Sequence, residues 1–328
     1  MRTSCLMTLA VRYLFISLLL LTGCVSNENQ YQGYIFGTYY NIKISDSPNL
    51  NTIQSSIDLK LREIDMLFSN YKSDSYLMRF NRKEKQATND DFTYLLNHSI
   101  EICKFVNQNF NIYAGSLVNL WGFGPVKRMS VPEEDDIENI IPKGCDSYDN
   151  DHLEIDFSAI AKGYAVDEIA RLLDDQNLNN YFIDIGGEIL VKGNKIKSPW
   201  IICIENPDTQ NSKPIECLSK KDNEKYMAVA TSGDYRNFFT LDNKRYSHTI
   251  NPKTGFPISN NLTSVSVALP GQFRHAGDAD ALATALNVMG LKEGFEFAVN
   301  NSIAALFIFR SEGEFSIRMT PSFEDIIH

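Results

Sequence analysis

The order of hydrophobic and polar positions divides the chain into helical and strand-like segments. Apolar residues three and four positions apart predict helices over 51–68, 94–106, 156–174 and 275–290. Runs rich in branched and aromatic residues predict strands over 33–45, with an interruption at Gly37, and over several short stretches within 181–269 and 303–319. Strands and helices do not alternate regularly, so the pattern predicts an α+β fold rather than a doubly wound sheet.

The N-terminal residues follow a different pattern. Arg2 and Arg12 precede a short apolar run, which is typical of a targeting signal and too short to span a membrane. Residues 21–24 are Leu-Thr-Gly-Cys and resemble a bacterial lipobox, in which the cysteine is acylated; an ordinary signal peptide with a chance cysteine is the alternative. We expect a lipoprotein signal peptide over 1–23, lipid on Cys24 and a tether over 24–32. Such a protein lies in the bacterial cell envelope, on the periplasmic face of a membrane, with the inner membrane favoured.

Composition narrows the possible functions of the remaining residues, 33–328. The 328-residue chain is 43% hydrophobic, which is enough for one large domain or two close ones. Its formal net charge of -10 argues against a nucleic-acid partner, because phosphate contacts need clustered Lys and Arg. Cysteines remain at Cys103, Cys145, Cys203 and Cys217. No C-x-x-C motif is present, so zinc is disfavoured, and the pairing of these cysteines cannot be derived from their spacing.

Asp280 and Thr284 are the first candidates for chemistry. They are four residues apart in the predicted helix 275–290 and therefore lie on one face. A carboxylate and a hydroxyl suit a hard cation such as Mg²⁺, which commonly completes its coordination on substrate phosphates. Alternatively, Asp280 is a helix cap or an exposed charge, and Thr284 bonds to its own turn.

The predicted helix 156–174 contains a second group of candidates. Asp156 or Ser158 is a suitable N-cap. Gly163 lies inside the helix, where it is unfavourable by about 1 kcal/mol relative to Ala, and this indicates close approach by another part of the chain. Lys162 lies near the helix start and either forms an anion site with the free backbone N–H groups or is simply solvated.

Two loops and one histidine complete the candidates. Residues 109–125 combine small residues with Trp121 and Phe123, which could form the wall of an aromatic ligand site or pack as ordinary core. Residues 69–75 are polar, and their default role is to close a loop. His248 follows a predicted hairpin over 238–247, where it could act as a base or form a structural hydrogen bond.

Taken together in this order, the segments resemble the ApbE family, the FAD:protein FMN transferases. The resemblance rests on residues 36–38, 71–81, 117–125, 156–167, 184–188, 247–257 and 279–290. It implies an ApbE-like flavin transferase domain over 33–328, with mixed or antiparallel sheets, packed helices and a FAD cleft between lobes.

The resemblance also implies a set of site residues. Mg²⁺ is expected at Asp280 and Thr284, with the backbone carbonyl of Ala159. FAD contacts are expected at Phe36, Tyr71, Asn109, Phe110, Asn111, Asp156, Lys162 and Ile250. His248 occupies the family's histidine position and is the expected catalytic base, with Asp280 as the second catalytic candidate through the metal.

The implied reaction is Mg²⁺-dependent transfer of FMN from FAD to a threonine hydroxyl of an acceptor protein, with release of AMP. The implied acceptors are flavin-carrying subunits of membrane redox complexes or extracytoplasmic flavoproteins with a Thr in a short Asp-containing motif. A FAD pyrophosphatase that yields FMN and AMP, or a non-catalytic FAD-binding lipoprotein, would have a nearly identical site. The chain departs from the family pattern at Asn111, Tyr113, Ser116 and Asn251, where Asp, Thr, Pro and Asp are common.

Overall fold

The fold is built on one eight-stranded sheet. The computed structural model describes residues 28–45, 50–146, 152–208, 213–233, 238–242 and 244–327. The sheet strands are β1 Asn29–Ile35, β2 Thr38–Ile44, β3 Tyr181–Ile185, β4 Glu188–Lys192, β9 Tyr226–Gly233, β12 Leu262–Gly271, β13 Ala304–Ser311 and β14 Glu314–Met319. They are ordered β1-β2-β3-β4-β9-β12-β13-β14, and every neighbouring pair is antiparallel.

Shorter strands and the helices surround this sheet. The remaining strands are β5 Asn194–Lys195, β6 Ser198–Pro199, β7 Ile202–Ile204, β8 Glu216–Leu218, β10 Phe238–Leu241 and β11 Lys244–Ser247. The helices are α1 Leu50–Phe68, α2 Tyr76–Asn81, α3 Asp90–Phe105, α4 Gly115–Leu120, α5 Glu134–Glu138, α6 Ala161–Asp175, α7 Ala276–Asn300 and α8 Pro321–Glu324. One turn of 3₁₀ helix, Ile112–Ala114, precedes α4. No described helix combines the length and the apolar character needed to cross a bilayer.

The two faces of the sheet bury different cores, because side chains alternate along each strand. In β9, Ala228 belongs to the large core under α1, α3, α6 and α7, whereas its neighbour Met227 belongs to the smaller core under β7 and α8. A third cluster, with Trp121 and Ile250 among its members, lies beside the hairpin β10–β11. The predicted α+β class is therefore confirmed, and the sheet is entirely antiparallel.

Local turn chemistry explains why the first predicted strand is two strands. Phe36 and Gly37 both have positive φ, 53° and 74°, as in the two-residue turns that favour β-hairpins. The break at Gly37 is confirmed as a hairpin between β1 and β2. β1 begins at Asn29, so the predicted tether over 24–32 was too long: Asn29 and Tyr31 are buried and paired with β2. The predicted signal peptide and Cys24 lie outside the described residues.

Two predicted helix boundaries were wrong. α6 begins at Ala161 rather than near residue 156, and its N-cap is Ile160 without a side-chain bond. Asp156 instead accepts a hydrogen bond from the backbone N–H of Ser158 at 2.7 Å, which forms a local turn before the helix. α7 continues beyond Gly290 to Asn300, with a kink at Gly290, where φ is 79°.

The four remaining cysteines form two disulfides. Cys103 is bonded to Cys145, and Cys203 is bonded to Cys217. The first bond connects α3 to the segment that follows α5, and the second connects β7 to β8. The pairing that spacing alone left open is thus decided by the fold.

Candidate active site

A single connected cavity of about 380 Å³ contains most of the predicted site residues. Side chains from the large core and from the Trp121 cluster both line it, in agreement with a cleft between two parts of the fold. The predicted residues that line it are Tyr71, Asn109, Phe110, Asn111, Asp156, Ala159, Lys162, His248, Ile250, Asp280 and Thr284. Phe36 does not line it; this residue occupies the β1–β2 turn and packs against the large core, and its FAD contact stays a prediction.

One end of the cavity is formed where α6 meets α7. Asp280 is 5% exposed, and its Oδ2 accepts a hydrogen bond of 3.1 Å from the backbone N–H of Gly163. The Lys162 ammonium lies 3.7 Å from the same oxygen and 3.3 Å from Oε1 of Glu188, the first residue of β4. A Cβ on Gly163 would lie 2.2 Å from the carbonyl oxygen of Ala276, which confirms the predicted close approach at this glycine.

The oxygen groups at this end fit a hard divalent cation. Asp280, Thr284 and Ala159 line the same cavity, and they offer a carboxylate, a hydroxyl and a carbonyl. The hydrogen bond from Gly163 and the contact with Lys162 both use Oδ2 of Asp280. The described residues contain no group of three or more His, Cys, Asp and Glu that could hold a metal alone. A cation here therefore needs oxygen ligands from water and a bound substrate.

Burial and neighbouring charges set the protonation of this end. Burial disfavours the charged Lys162, but the carboxylates of Asp280 and Glu188 outweigh burial and raise the pKa of Lys162. Burial also raises the pKa of Asp280 and of Glu188, while the Lys162 ammonium opposes both shifts. The positive charge of Lys162 thus lies between two carboxyl groups. A divalent cation that enters the site would also be attracted to these carboxyl groups.

Another part of the cavity wall is built from loops that are hydrogen-bonded to one another. The side-chain amide of Asn70 donates to Asp156 Oδ1 at 2.7 Å and to Ser158 Oγ at 3.3 Å, which joins the predicted polar loop to the turn before α6. The Tyr71 hydroxyl donates to the carbonyl oxygen of Phe123 at 3.4 Å. Tyr71 is 66% exposed, so its ring is available at the cavity mouth.

The substituted loop around Asn111 has a structural explanation. The Asn111 side chain accepts from the backbone N–H of Tyr113 at 3.0 Å and donates to the carbonyl oxygen of Gly144 at 3.0 Å. An aspartate at this position could accept the first bond but could not donate the second. Asn111 therefore fits a chain in which Gly144 is held beside the Cys103–Cys145 disulfide.

His248 lies at the edge of the aromatic cluster, directly after β11. Its ring meets the ring of Phe123 edge-on at 6.4 Å between centroids. Trp121 packs against Tyr246 and donates from Nε1 to the carbonyl oxygen of Gly255 at 2.8 Å. Trp121 thereby contacts the chain both before and after His248. His248 itself lines the cavity. Its role as a base stays a prediction.

Glu188 was not among the predicted site residues. The residue follows the turn of Gly186 and Gly187, both with positive φ, and it is 3% exposed. A Glu that directly follows a Gly-Gly turn and precedes a strand would ordinarily be assigned to solvent. Its position directly before the apolar residues of β4 could have indicated burial. A buried charge on a strand needs a partner, and this would have made Glu188 a site candidate.

The arrangement can bind an anionic group between a cation and Lys162 while Tyr71 and Phe123 contact a flat ring. This combination of groups suits a ligand in which phosphate is joined to an aromatic ring.

Comparisons with known proteins specify the class further. A model of the ApbE family matches residues 36–307. FAD:protein FMN transferase of Vibrio cholerae serotype O1 is 38% identical over 331 residues, covering 95% of this chain and 97% of that protein. The FAD:protein FMN transferase of Escherichia coli K12 is 30% identical over 317 residues, covering 90% of this chain and 88% of that protein.

Solved structures agree. Flavin transferase ApbE from Vibrio cholerae has a TM-score of 0.80 at 35% identity, covering 92% of this chain and 99% of that chain. The apo form of the flavinyl transferase ApbE from Pseudomonas stutzeri has a TM-score of 0.81 at 32% identity, covering 92% and 97%. The chain belongs to the ApbE family, as its motifs predicted.

Proposed function

We propose that this protein is an enzyme that transfers FMN from FAD to a threonine hydroxyl of an acceptor protein and releases AMP. The relatives described above are named for FAD:protein FMN transfer. The observation that carries the proposal is that Asp280, Thr284, Lys162 and His248 all line the cavity that Tyr71 also lines. The acceptor is expected to be a flavin-carrying subunit of a redox complex or an extracytoplasmic flavoprotein.

Each side chain has a task in this reaction. Asp280 and Thr284, with the Ala159 carbonyl, would hold Mg²⁺, which supplies charge neutralisation at the diphosphate. Lys162 would contact the diphosphate oxygens from the helix start of α6. His248 would accept the threonine proton while the threonine oxygen bonds to the FMN-side phosphorus and the bond to the AMP oxygen breaks. Tyr71 would contact the flavin and hold it at the mouth.

A purified reaction tests this proposal. The protein is incubated with FAD, Mg²⁺ and a candidate acceptor, and the acceptor is then examined by mass spectrometry while AMP and FMN are quantified. An acceptor that gains FMN on threonine, with one AMP per transfer, supports the proposal. Free FMN with unmodified acceptor would identify a pyrophosphatase, and unchanged FAD would identify a binding protein. An acceptor with the target Thr replaced by Val is the control.

The cellular location is part of the proposal. Cys24 would carry the lipid that anchors the protein to the periplasmic face of a membrane. The two disulfides support an oxidising compartment, because disulfides persist there and are rare in the cytosol. A Cys24→Ser variant is expected in the soluble fraction and without label from a fatty-acid analogue; membrane retention with label would refute lipidation at Cys24.

A further inference from the structure

Glu188 is a buried charged residue at the start of β4, on the face of the sheet that packs against the large core. Along β4, Glu188 and Leu190 share a face, and Leu190 belongs to the large core. Removing a carboxylate from water is strongly unfavourable unless partners compensate for it. Only one oxygen of Glu188 has such a partner: Oε1 lies 3.3 Å from the Lys162 ammonium. Oε2 is buried and has no hydrogen-bond partner among the described residues.

The incomplete pairing points to a ligand. Native proteins satisfy nearly all buried polar atoms, so an unpaired carboxylate oxygen on a cavity wall indicates a donor that arrives with the ligand. Glu188 lines the cavity together with Lys162 and Asp280. A diphosphate offers no donor, but sugar hydroxyls next to it and water on a bound cation do.

Lys162 has two carboxylate neighbours, and they are not equivalent when a cation binds. Asp280 is the expected cation ligand, so a divalent ion there would neutralise Asp280 and repel the Lys162 ammonium. Glu188 is then the remaining anion that attracts Lys162. Glu188 lies on β4, whereas Asp280 and Thr284 lie on α7.

We propose that Glu188 is a positioning residue that holds the Lys162 ammonium against the diphosphate of FAD while the cation occupies Asp280. The unpaired Oε2 accepts an O–H donor from a cation-bound water, so Glu188 makes no direct contact with FAD. This inference rests on the proposed function, since it assumes that FAD occupies the cavity. Glu188 acts through Lys162 and takes no proton in the reaction.

The inference predicts a particular pattern of binding and stability. In Glu188→Gln, the dissociation constant and KM for FAD at saturating Mg²⁺ should rise about tenfold or more, with a smaller change in kcat, because a charge-assisted contact is lost. Glu188→Asp should recover part of the affinity. The melting temperature without FAD and Mg²⁺ should change little, because Gln keeps the volume of the side chain and Lys162 keeps Asp280 as a charged partner.

A double-mutant cycle provides the decisive test. FAD affinity is measured by fluorescence titration, without any turnover, for wild type, Glu188→Gln, Lys162→Gln and the double variant. If Glu188 works through Lys162, the Glu188 change has little further effect once Lys162 is replaced. Glu168→Gln, on the same helix as Lys162 and paired with Arg171, is the matched control and should bind FAD as wild type does.

The outcomes separate this inference from the proposed function. Additive losses in the double variant would overturn the inference, and so would wild-type FAD affinity in Glu188→Gln. A lowered melting temperature with unchanged affinity would make Glu188 a structural residue. Failure of the wild-type protein to bind FAD would instead refute the proposed function itself.

Discussion

The backbone N–H of Gly163 in α6 donates a hydrogen bond of 3.1 Å to Oδ2 of Asp280 in α7. The two helices approach closely enough for this bond because residue 163 has no side chain: an added Cβ would lie 2.2 Å from the carbonyl oxygen of Ala276. The position of the proposed metal carboxylate therefore depends on a packing contact, and changes in that contact should affect both stability and the site.

Gly163→Ala tests this dependence. Alanine favours a helix by about 1 kcal/mol over glycine. The steric conflict with the Ala276 carbonyl opposes this gain, and forced overpacking typically destabilises by about 1–3 kcal/mol. We expect a net loss in the free energy of unfolding, measured by urea denaturation. We also expect weaker Mg²⁺ binding, measured as a higher Mg²⁺ concentration for half-maximal transfer.

Gly277→Ala is the matched control, because a Cβ at Gly277 meets its nearest atom, the Tyr164 nitrogen, at an ordinary 3.4 Å. This variant should be at least as stable as wild type, because alanine favours the helix and meets no steric conflict there. Equal losses in both variants would contradict the proposed role of the Gly163 contact.

Asp280→Asn tests the cation site. Asparagine retains an oxygen for the Gly163 N–H but loses the charge that attracts Mg²⁺. We expect the Mg²⁺ concentration for half-maximal transfer to rise at least about tenfold, with partial recovery at high Mg²⁺. Asp278→Asn, two positions earlier in α7, should leave this concentration unchanged. An unaltered Mg²⁺ requirement in Asp280→Asn would remove Asp280 from the metal site.

His248→Ala tests the proposed base. Loss of a general base typically lowers the rate by about 10²–10⁴-fold. We expect transfer to fall in this range while FAD affinity, measured by fluorescence, changes little. His248→Gln keeps a polar side chain but cannot take the proton and should be equally slow. Unchanged turnover would exclude His248 as the base, and loss of FAD binding would make it a binding residue.

The Cys103–Cys145 disulfide links stability to the flavin site. Its loop spans 42 residues, for which the chain-entropy model gives about 4 kcal/mol of stabilisation. Replacing both cysteines with Ala should lower the free energy of unfolding by this order and weaken FAD binding, because Gly144 then holds Asn111 less firmly. Urea denaturation and FAD titration measure the two effects.

The Cys203–Cys217 bond serves as the control. It spans 14 residues and lies between β7 and β8, so its removal should be unfavourable by about 3 kcal/mol without affecting FAD affinity. If both pairs had the same effect on FAD affinity, the link through Gly144 would be wrong.

A histidine pair makes stability depend on pH. His98 Nε2 and His275 Nδ1 each lie 2.6 Å from an oxygen of Asp278. The hydrogen bond to Asp278 raises the pKa of both histidines, although burial opposes it. Because the folded-state pKa exceeds the unfolded value of about 6.5, the stabilisation is complete below that pH and is lost as pH rises through the raised pKa.

Between about pH 6.5 and the raised pKa values, we expect the free energy of unfolding to fall in both wild type and His98→Gln. The fall should be larger in wild type, by on the order of 1 kcal/mol. The comparison with the variant is needed because burial raises the pKa of Asp167 to about 7, in the same range. Identical pH dependence of the two proteins would contradict the assignment.

Much of the secondary structure could be predicted because it depends on neighbours in the chain. The hydrophobic period located α1 and the sheet strands, and the turn residue Gly37 marked the first hairpin. The start of α6 could not be predicted, because Asp156 has two uses: it can cap a helix, or it can accept from Ser158 and Asn70, and the second depends on a loop far away in sequence.

Most of the predicted site residues line one cavity, and their grouping could be predicted where residue order carries the information. Asp280 and Thr284 are on one helix, and their spacing alone places them on one face. Glu188 was missed because the ion pair that compensates for its burial is formed with Lys162, which belongs to another element. The packing of Phe36 against the large core could not be predicted, because its order in the chain does not reveal which way a turn residue packs.

The sequence by itself determined the class of fold, the family and the spacing of the metal-binding candidates, since these follow from local periodicity and motif order. Only the tertiary structure decided the disulfide pairs, the close contact at Gly163, and the meeting of Lys162, Glu188 and Asp280 from α6, β4 and α7. The physical reason is that contacts between distant residues depend on how the sheet and helices pack, and no period along the chain encodes that packing.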